Sequence, residues 1–399
     1  MKNGKAVLRG ALGLLLMLVL GAMYAWSYFR VALGQAYPTW SQTQVTLNFT
    51  ILMSCFCVGG LLAGSVLIRL SKTVQIAMAA VLLGGGFLGV SLLPAAPEAA
   101  LWLLYICYGV LTGLGTGIAY NAVLSGVQPW FPNSPGAISG VLLMGMGFGS
   151  LILGNVAAAL LKVLTIQATF RVFAVGTFLI LLCCAPVIRP PKAGETDTAA
   201  QSQTGTGDDE RSYTTVEMLR RPTFWLYFVW NIMLSSSGML VINSASAITV
   251  FYGLAAVIGL VVSVFNGLGR LAIGGCMDRL GWKKTMYLNN GVLLASGALL
   301  LAGDRSGSGF IVLAGMLLMG ICYGGGITIS AALIRQLYGS KHYAANFSVC
   351  NLCMIPASLL GPMISAALQD GSGGYLSTFI MVLAIGAVAL ILNLFIRKP

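Results

Sequence analysis

The chain has 399 residues, of which 58% are hydrophobic and 8% charged. A soluble domain carries about 25% charged residues, so this composition excludes an ordinary soluble protein and describes one that crosses a membrane many times. The formal net charge of +12 would suit a nucleic-acid binder, but the cations sit between apolar runs with no stacking aromatics among them, which sets nucleic acid aside.

Twelve apolar runs follow in order, at 10–34, 43–68, 74–93, 100–124, 136–161, 168–188, 223–248, 253–277, 285–303, 310–334, 344–368 and 374–396. Each is near the roughly 20 residues that span a bilayer as a helix. The first is too long for a signal-peptide core and has no small-residue cleavage site after it, so it reads as a membrane helix. The expected fold is all-α, with twelve transmembrane helices. One long polar segment, 189–222, parts the sixth run from the seventh and reads as a flexible linker. Within it, Thr214-Thr-Val-Glu-Met-Leu-Arg-Arg221 predicts a short surface helix leading into the seventh run.

Lys2, Lys5, Arg9, Arg69, Lys72, the linker, Arg279, Lys283, Lys284, Arg335, Lys341, Arg397 and Lys398 fall on one side of the membrane, and Arg30, Lys162, Arg171 and Arg305 on the other. The positive-inside rule then places both termini and the linker in the cytoplasm. The two halves echo each other. Ile106-Cys-Tyr-Gly109 recurs as Ile321-Cys-Tyr-Gly324, an offset of 321 − 106 = 215, and the basic turn at Arg69 recurs at Arg279, an offset of 279 − 69 = 210. Near-equal offsets predict a duplicated six-helix unit: a bundle at 1–188, the linker at 189–222 and a second bundle at 223–399, with a binding site between the halves.

Arg270 is the candidate on which function turns. It lies in the eighth run with no acid nearby in the apolar stretch. At 1.5 Å per residue it sits about 12 Å before Asp278, close to the midplane if Asp278 marks the surface. A cation there normally faces a cavity on a substrate path; the alternative, snorkelling to the surface, asks too much of its length. A guanidinium offers a carboxylate two parallel hydrogen bonds. Asn266 shares its face one turn earlier. Tyr24 and Tyr28 in the first run and Tyr120 in the fourth are candidates to grip substrate or wall the cavity, with packing as the alternative. The seventh run is unusually polar at Asn231, Ser235, Ser236, Ser237, Asn243 and Ser244, which predicts a cavity-lining or broken helix, or interhelical hydrogen bonds. None of the ten acids falls well inside a run, so neither a carboxylate proton relay nor a site for an organic cation is evident. The nine cysteines and His342 suggest no metal set or cofactor, and nothing in the runs resembles the paired acids or histidines of a membrane enzyme.

Gly274-x-x-x-Asp278-Arg279-x-Gly281-x-Lys283-Lys284 resembles the loop signature of the major facilitator superfamily; its counterpart at Gly64–Ser71 lacks the acid and the second glycine. Gly274, Asp278, Arg279 and Gly281 are therefore expected to gate rather than to bind. Tyr24-Ala-Trp-Ser, Tyr120 with Trp130-Phe-Pro132, Glu217-Met-Leu-Arg-Arg-Pro-Thr-Phe-Trp225, Phe265-Asn-Gly-x-Gly-Arg270 and Tyr338-Gly-Ser-Lys-x-Tyr-x-x-Asn346 together resemble the oxalate/formate antiporter family of carboxylate carriers. That resemblance implies that Arg270 binds a substrate carboxylate. It also puts Met354 where the family's oxalate carriers have a lysine, and Tyr323 where the tenth helix often has tryptophan. One cation in place of two favours a monoanion. The reading is a monomeric carrier of a small organic anion in the cytoplasmic membrane, with the lipid bilayer as its other partner. Efflux of neutral compounds and carboxylate sensing are the competing readings.

Overall fold

A computed structural model describes residues 2–191, 195, 212–259, 261–361 and 374–398. Among these residues every regular element is helical, as hydrocarbon demands of a chain that must satisfy its own backbone. The membrane helices are α1 (residues 2–36), α2 (Gln42–Gly64), α3 (Lys72–Val90), α4 (Pro97–Trp130), α5 (Pro135–Val163), α6 (Ile166–Cys184) and α7 (Pro222–Asn243). They continue with α8 (261–280), α9 (282–306), α10 (Gly309–Tyr338), α11 (Tyr343–Gly361) and α12 (Leu376–Phe395). Each predicted run finds its helix. The later part of the eleventh run, 362–368, lies outside the described residues, as does most of the linker.

Three departures from straight helices have local causes or consequences. In α1, a 3₁₀ stretch at Gly21–Ala25 joins Lys2–Leu20 to Trp26–Ala36, and the Tyr108 hydroxyl donates to the Met23 carbonyl within it (3.2 Å). In α4, Tyr105–Thr112 is π-helical. In α7 the helix breaks at Ser244 and resumes as Ala245–Phe251, so the seventh run is broken as anticipated. The eighth run starts later than its composition suggests, because Gly253 turns the chain with φ +76°.

The residues cluster into two units. The first comprises Met1–Pro132, Gly145–Glu210 and Tyr343–Leu352; the second comprises Asn133–Met144, Arg211–His342 and Cys353–Pro399. Thus α5 and α11 each divide between units, and α11 is interrupted by a turn at 352–353, just before Pro356 removes a backbone donor. The first unit has an aromatic core of Phe29, Phe87, Tyr108, Phe170 and Phe173, all buried. At its other end Trp130 donates to the Arg189 carbonyl (2.6 Å) under the Arg9 guanidinium. Arg189 donates a bidentate pair of hydrogen bonds to Glu195, which raises the pKa of Arg189 above its ordinary value against a smaller effect of burial.

The second unit is bound by polar side chains. Tyr227 and Ser330 share a 2.7 Å hydrogen bond, and Asn231 donates to Ser330 (2.9 Å) and to the Cys353 sulfur (3.0 Å), tying α7, α10 and α11 together. Trp230 donates to Asn290 (2.8 Å). Part of the polarity of α7 therefore serves interhelical bonding.

Between α8 and α9, Gly281 adopts φ +77°, ψ 166°, a region open essentially to glycine alone. After it, Lys283 donates to the terminal carbonyls Asn393 and Ile396 of the α12 end, where a cation suits the helix dipole. We expect Gly281→Ala to cost roughly 1–3 kcal/mol through strain. The neighbouring Gly275→Ala, with open space around it, should be neutral or slightly stabilising. Thermal unfolding of the two purified variants checks both.

Candidate functional site

In the second unit, Arg270 lies mid-way along α8 and is only 2% exposed. Its Nη1 donates to the Leu143 carbonyl of α5 at 2.5 Å. Its Nε is buried with no hydrogen-bond partner among the described residues. The ion pairs found among the described residues, Lys5–Glu195 and Arg189–Glu195, do not include it. An arginine at the centre of a membrane helix costs on the order of 3 kcal/mol even on permissive scales, and one neutral carbonyl does not compensate its charge. The arrangement is a fixed cation with hydrogen-bonding capacity left over.

Asn266, one turn before, is also buried, and its Oδ1 has no partner among the described residues. It faces α10: a Cβ at Gly324 would meet both its backbone carbonyl and its side chain. Tyr323, next to Gly324, points elsewhere. Its ring lies against Gly238 of α7, where a Cβ would collide with it. Met354, 7% exposed, is the first residue after the turn in α11. The structure thus joins Arg270 to α5 and Asn266 to α10, and sets Tyr323 against α7.

The tyrosine candidates of the first unit also separate. Tyr24 is half-buried on the 3₁₀ stretch of α1. The Tyr28 ring packs against Gly154 of α5. Tyr120 is buried, stacked on Phe347 of α11 (centroids 5.9 Å apart) and edge-on to Phe56 (5.1 Å). Phe347 stacks in turn on Tyr343. This places Tyr120 in an aromatic column that holds the start of α11.

Asp278 lies against the start of α5. Its two carboxylate oxygens accept from the backbone N–H groups of Gly136 (2.8 Å) and Ala137 (2.7 Å), at the start of α5. Free amides and a positive dipole end make a helix start a good anion partner. Gly274 makes this possible, because a Cβ there would sit 2.5 Å from the Gly136 carbonyl. Arg279 is exposed. Gly140 packs just as closely on the Arg270 carbonyl, so the start of α5 lies along α8 from Asp278 to the buried cation.

The first unit contains the matching arrangement, which the sequence reading missed. Gly64 packs on the Ala344 carbonyl as Gly274 packs on that of Gly136; the offsets are 274 − 64 = 210 and 344 − 136 = 208. Asn121 donates to Ala344 O (3.0 Å) and Ser348 Oγ (2.6 Å), and Ser348 Oγ lies 2.6 Å from the Gly60 carbonyl. The residue equivalent to Asp278 is Ile68 (278 − 210), which is exposed. A neutral clasp from Asn121 and Ser348 therefore does in one unit what a carboxylate does in the other. The repeat at offset 210 pointed to Gly64; nothing in the sequence pointed to Asn121. We expect Asp278→Asn to speed hydrogen exchange at the amides of residues 136 and 137 by about ten-fold or more, as charge-assisted bonds worth roughly 1.5–3 kcal/mol weaken. Exchange at 344–348 should stay unchanged. Peptide-resolved exchange mass spectrometry reads both.

With this geometry in hand, comparison with known proteins is informative. A family model described as Major Facilitator Superfamily matches residues 14–304 and 252–399. The uncharacterized MFS-type transporter YhjX of Escherichia coli (strain K12) is 27% identical over 338 residues, covering 84% of this chain and 81% of its own. The oxalate:formate antiporter of Oxalobacter formigenes is 27% identical over 369 residues, covering 90% and 84%. Human monocarboxylate transporter 12 is 28% identical over 122 residues, 30% of this chain and 23% of its own. Among solved structures, the proton:xylose symporter XylE superposes with a TM-score of 0.76 at 15% identity, covering 100% of this chain and 97% of the other. FucP in its outward conformation gives 0.69 at 14%, covering 99% and 100%. These likenesses of structure concern the fold.

Proposed function

The chain belongs to the major facilitator superfamily, and from that premise we propose that it carries a small monocarboxylate across the cytoplasmic membrane by alternating access, as an exchanger or an anion/proton symporter. It is a multi-pass membrane transporter, not an enzyme. The observation that carries the substrate reading is the buried Arg270, which has no carboxylate partner among the described residues and a partnerless Nε. A substrate carboxylate would neutralise the charge and accept the remaining donors as a planar fork. The similarity to an oxalate:formate antiporter over most of both chains supports the same class. Both termini and the linker are then cytoplasmic.

A second reading is favoured by the Leu143 hydrogen bond: Arg270 pins α8 to α5, and the cargo is neutral. Uptake into proteoliposomes, screened over formate, acetate, lactate, pyruvate and oxalate, separates the two. Arg270→Gln should abolish carboxylate uptake at near-normal expression, and Arg270→Lys should lose most of it, because an ammonium lacks the planar fork. Unchanged uptake would assign Arg270 to structure.

Charge count sets the selectivity. With Met354 where the resemblance implies a lysine, a dianion beside Arg270 keeps about one uncompensated charge in low dielectric, which is strongly unfavourable. Monocarboxylates should therefore outcompete oxalate in binding at neutral pH, and Met354→Lys should shift the preference toward dianions. Tighter binding of oxalate by the unmodified protein would contradict the count.

A further inference from the structure

Where the linker meets α7, the chain forms a recess of about 250 Å³ lined by Tyr213, Glu217, Arg220, Arg221 and Pro222. It belongs to the second unit and has no part in the substrate reading. We propose that this recess binds the phosphate of an anionic phospholipid headgroup, with Arg220 and Arg221 as its ligands.

The charge comes first. Neither arginine is in an ion pair among the described residues. The one acid in the lining, Glu217, is turned back on its own helix, where its carboxylate accepts from Thr214 N (2.8 Å) and Thr214 Oγ1 (3.0 Å) as half of a capping box. The lining carries 2 − 1 = +1, with neither arginine in an ion pair among the described residues and the acid satisfied within its own helix. Arginine suits phosphate because its planar donors match the oxygens in pairs.

The recess is also held in shape. Tyr213 is buried, its N–H donates to the Tyr338 carbonyl at the end of α10 (3.0 Å), and its ring meets that of Tyr338 edge-on (5.7 Å). The guanidinium carbon of Arg221 lies 5.4 Å from the centre of the Tyr213 ring, a cation–π arrangement that restrains the side chain before any ligand arrives. A merely solvated pair of basic residues would need neither the stacking ring nor the recess.

Position selects the lipid as the source of the phosphate. Pro222 is the first residue of α7, so the arginines stand where the chain enters the membrane. Trp225, one turn further, is 50% exposed and donates its indole N–H to the Leu219 carbonyl (2.8 Å). Val216, on the short helix Thr215–Leu219, is 59% exposed. An indole with its polar edge satisfied and an outward valine suit the headgroup level of a bilayer. Basic groups just outside a membrane helix attract anionic lipid by about 1 kcal/mol each.

The test uses the full-length protein in detergent, titrated with phosphatidylglycerol, phosphatidylcholine or inorganic phosphate, and reads bound lipid by native mass spectrometry and the melting temperature. Phosphatidylglycerol should bind and stabilise where phosphatidylcholine does not. Arg220→Gln/Arg221→Gln should weaken its titration midpoint by roughly ten- to thirty-fold, while the equally charged loss in Arg397→Gln/Lys398→Gln should leave it unchanged. Equal responses to the two lipids, or equal losses in the two double variants, would overturn the site. Equal stabilisation by inorganic phosphate would overturn the lipid as its source and assign a soluble phosphate compound instead.

Discussion

A guanidinium buried at mid-helix in an apolar protein constrains everything around it. Burying a guanidinium such as that of Arg270 is costly unless an anion or hydrogen-bond acceptors compensate it. Its neighbours must either supply an anion or leave the site ready for one. Among the described residues they supply a single carbonyl, from Leu143. Among the described residues, Asp278 sits on the amides of α5 and Asp304 accepts from the Tyr252 hydroxyl. That Tyr252 bond, together with burial, raises the tyrosine's pKa, burial contributing more. Both of these acids lie near helix ends, whereas Arg270 lies at mid-helix.

The same stretch of α8 carries Asp278. The start of α5 lies along it, with Gly140 on the Arg270 carbonyl and Gly136 beside Gly274. Eight residues part the cation from the carboxylate that caps α5, and Arg270 itself donates to α5 at Leu143. The matching contacts in the first unit are neutral, resting on Asn121 and Ser348, so the two repeats are equivalent in packing but not in electrostatics. Only the clasp made by Asp278 contains an ionisable side chain.

Much of this was legible in the residues. Run length and the scarcity of charge predict the helices, since hydrocarbon leaves the backbone no other arrangement. The glycines and Asp278 of the turn after α8 could be read because together they resemble a family loop signature. Features that depend on tertiary neighbours were not legible. Tyr120 and Tyr323 look alike as lone tyrosines in apolar runs, yet one stacks on Phe347 and the other presses on Gly238. Asn121 looks like any polar residue in a helix until Ala344 and Ser348 arrive beside it. The division of α11 at 352–353 follows partly from Pro356, a local signal, and partly from packing on α2 and α4, which composition does not encode.

The most direct measurement is the nitrogen-15 spectrum of arginine side chains in the purified protein, with the Arg270 Nε–H identified by its loss in Arg270→Lys. The Nε has no partner among the described residues, so a carboxylate that binds there must give it one. Titration with formate, acetate or lactate should move this single resonance downfield, saturably, while the other arginines stay in place. A resonance that holds still while the monocarboxylate binds and is transported would contradict the account.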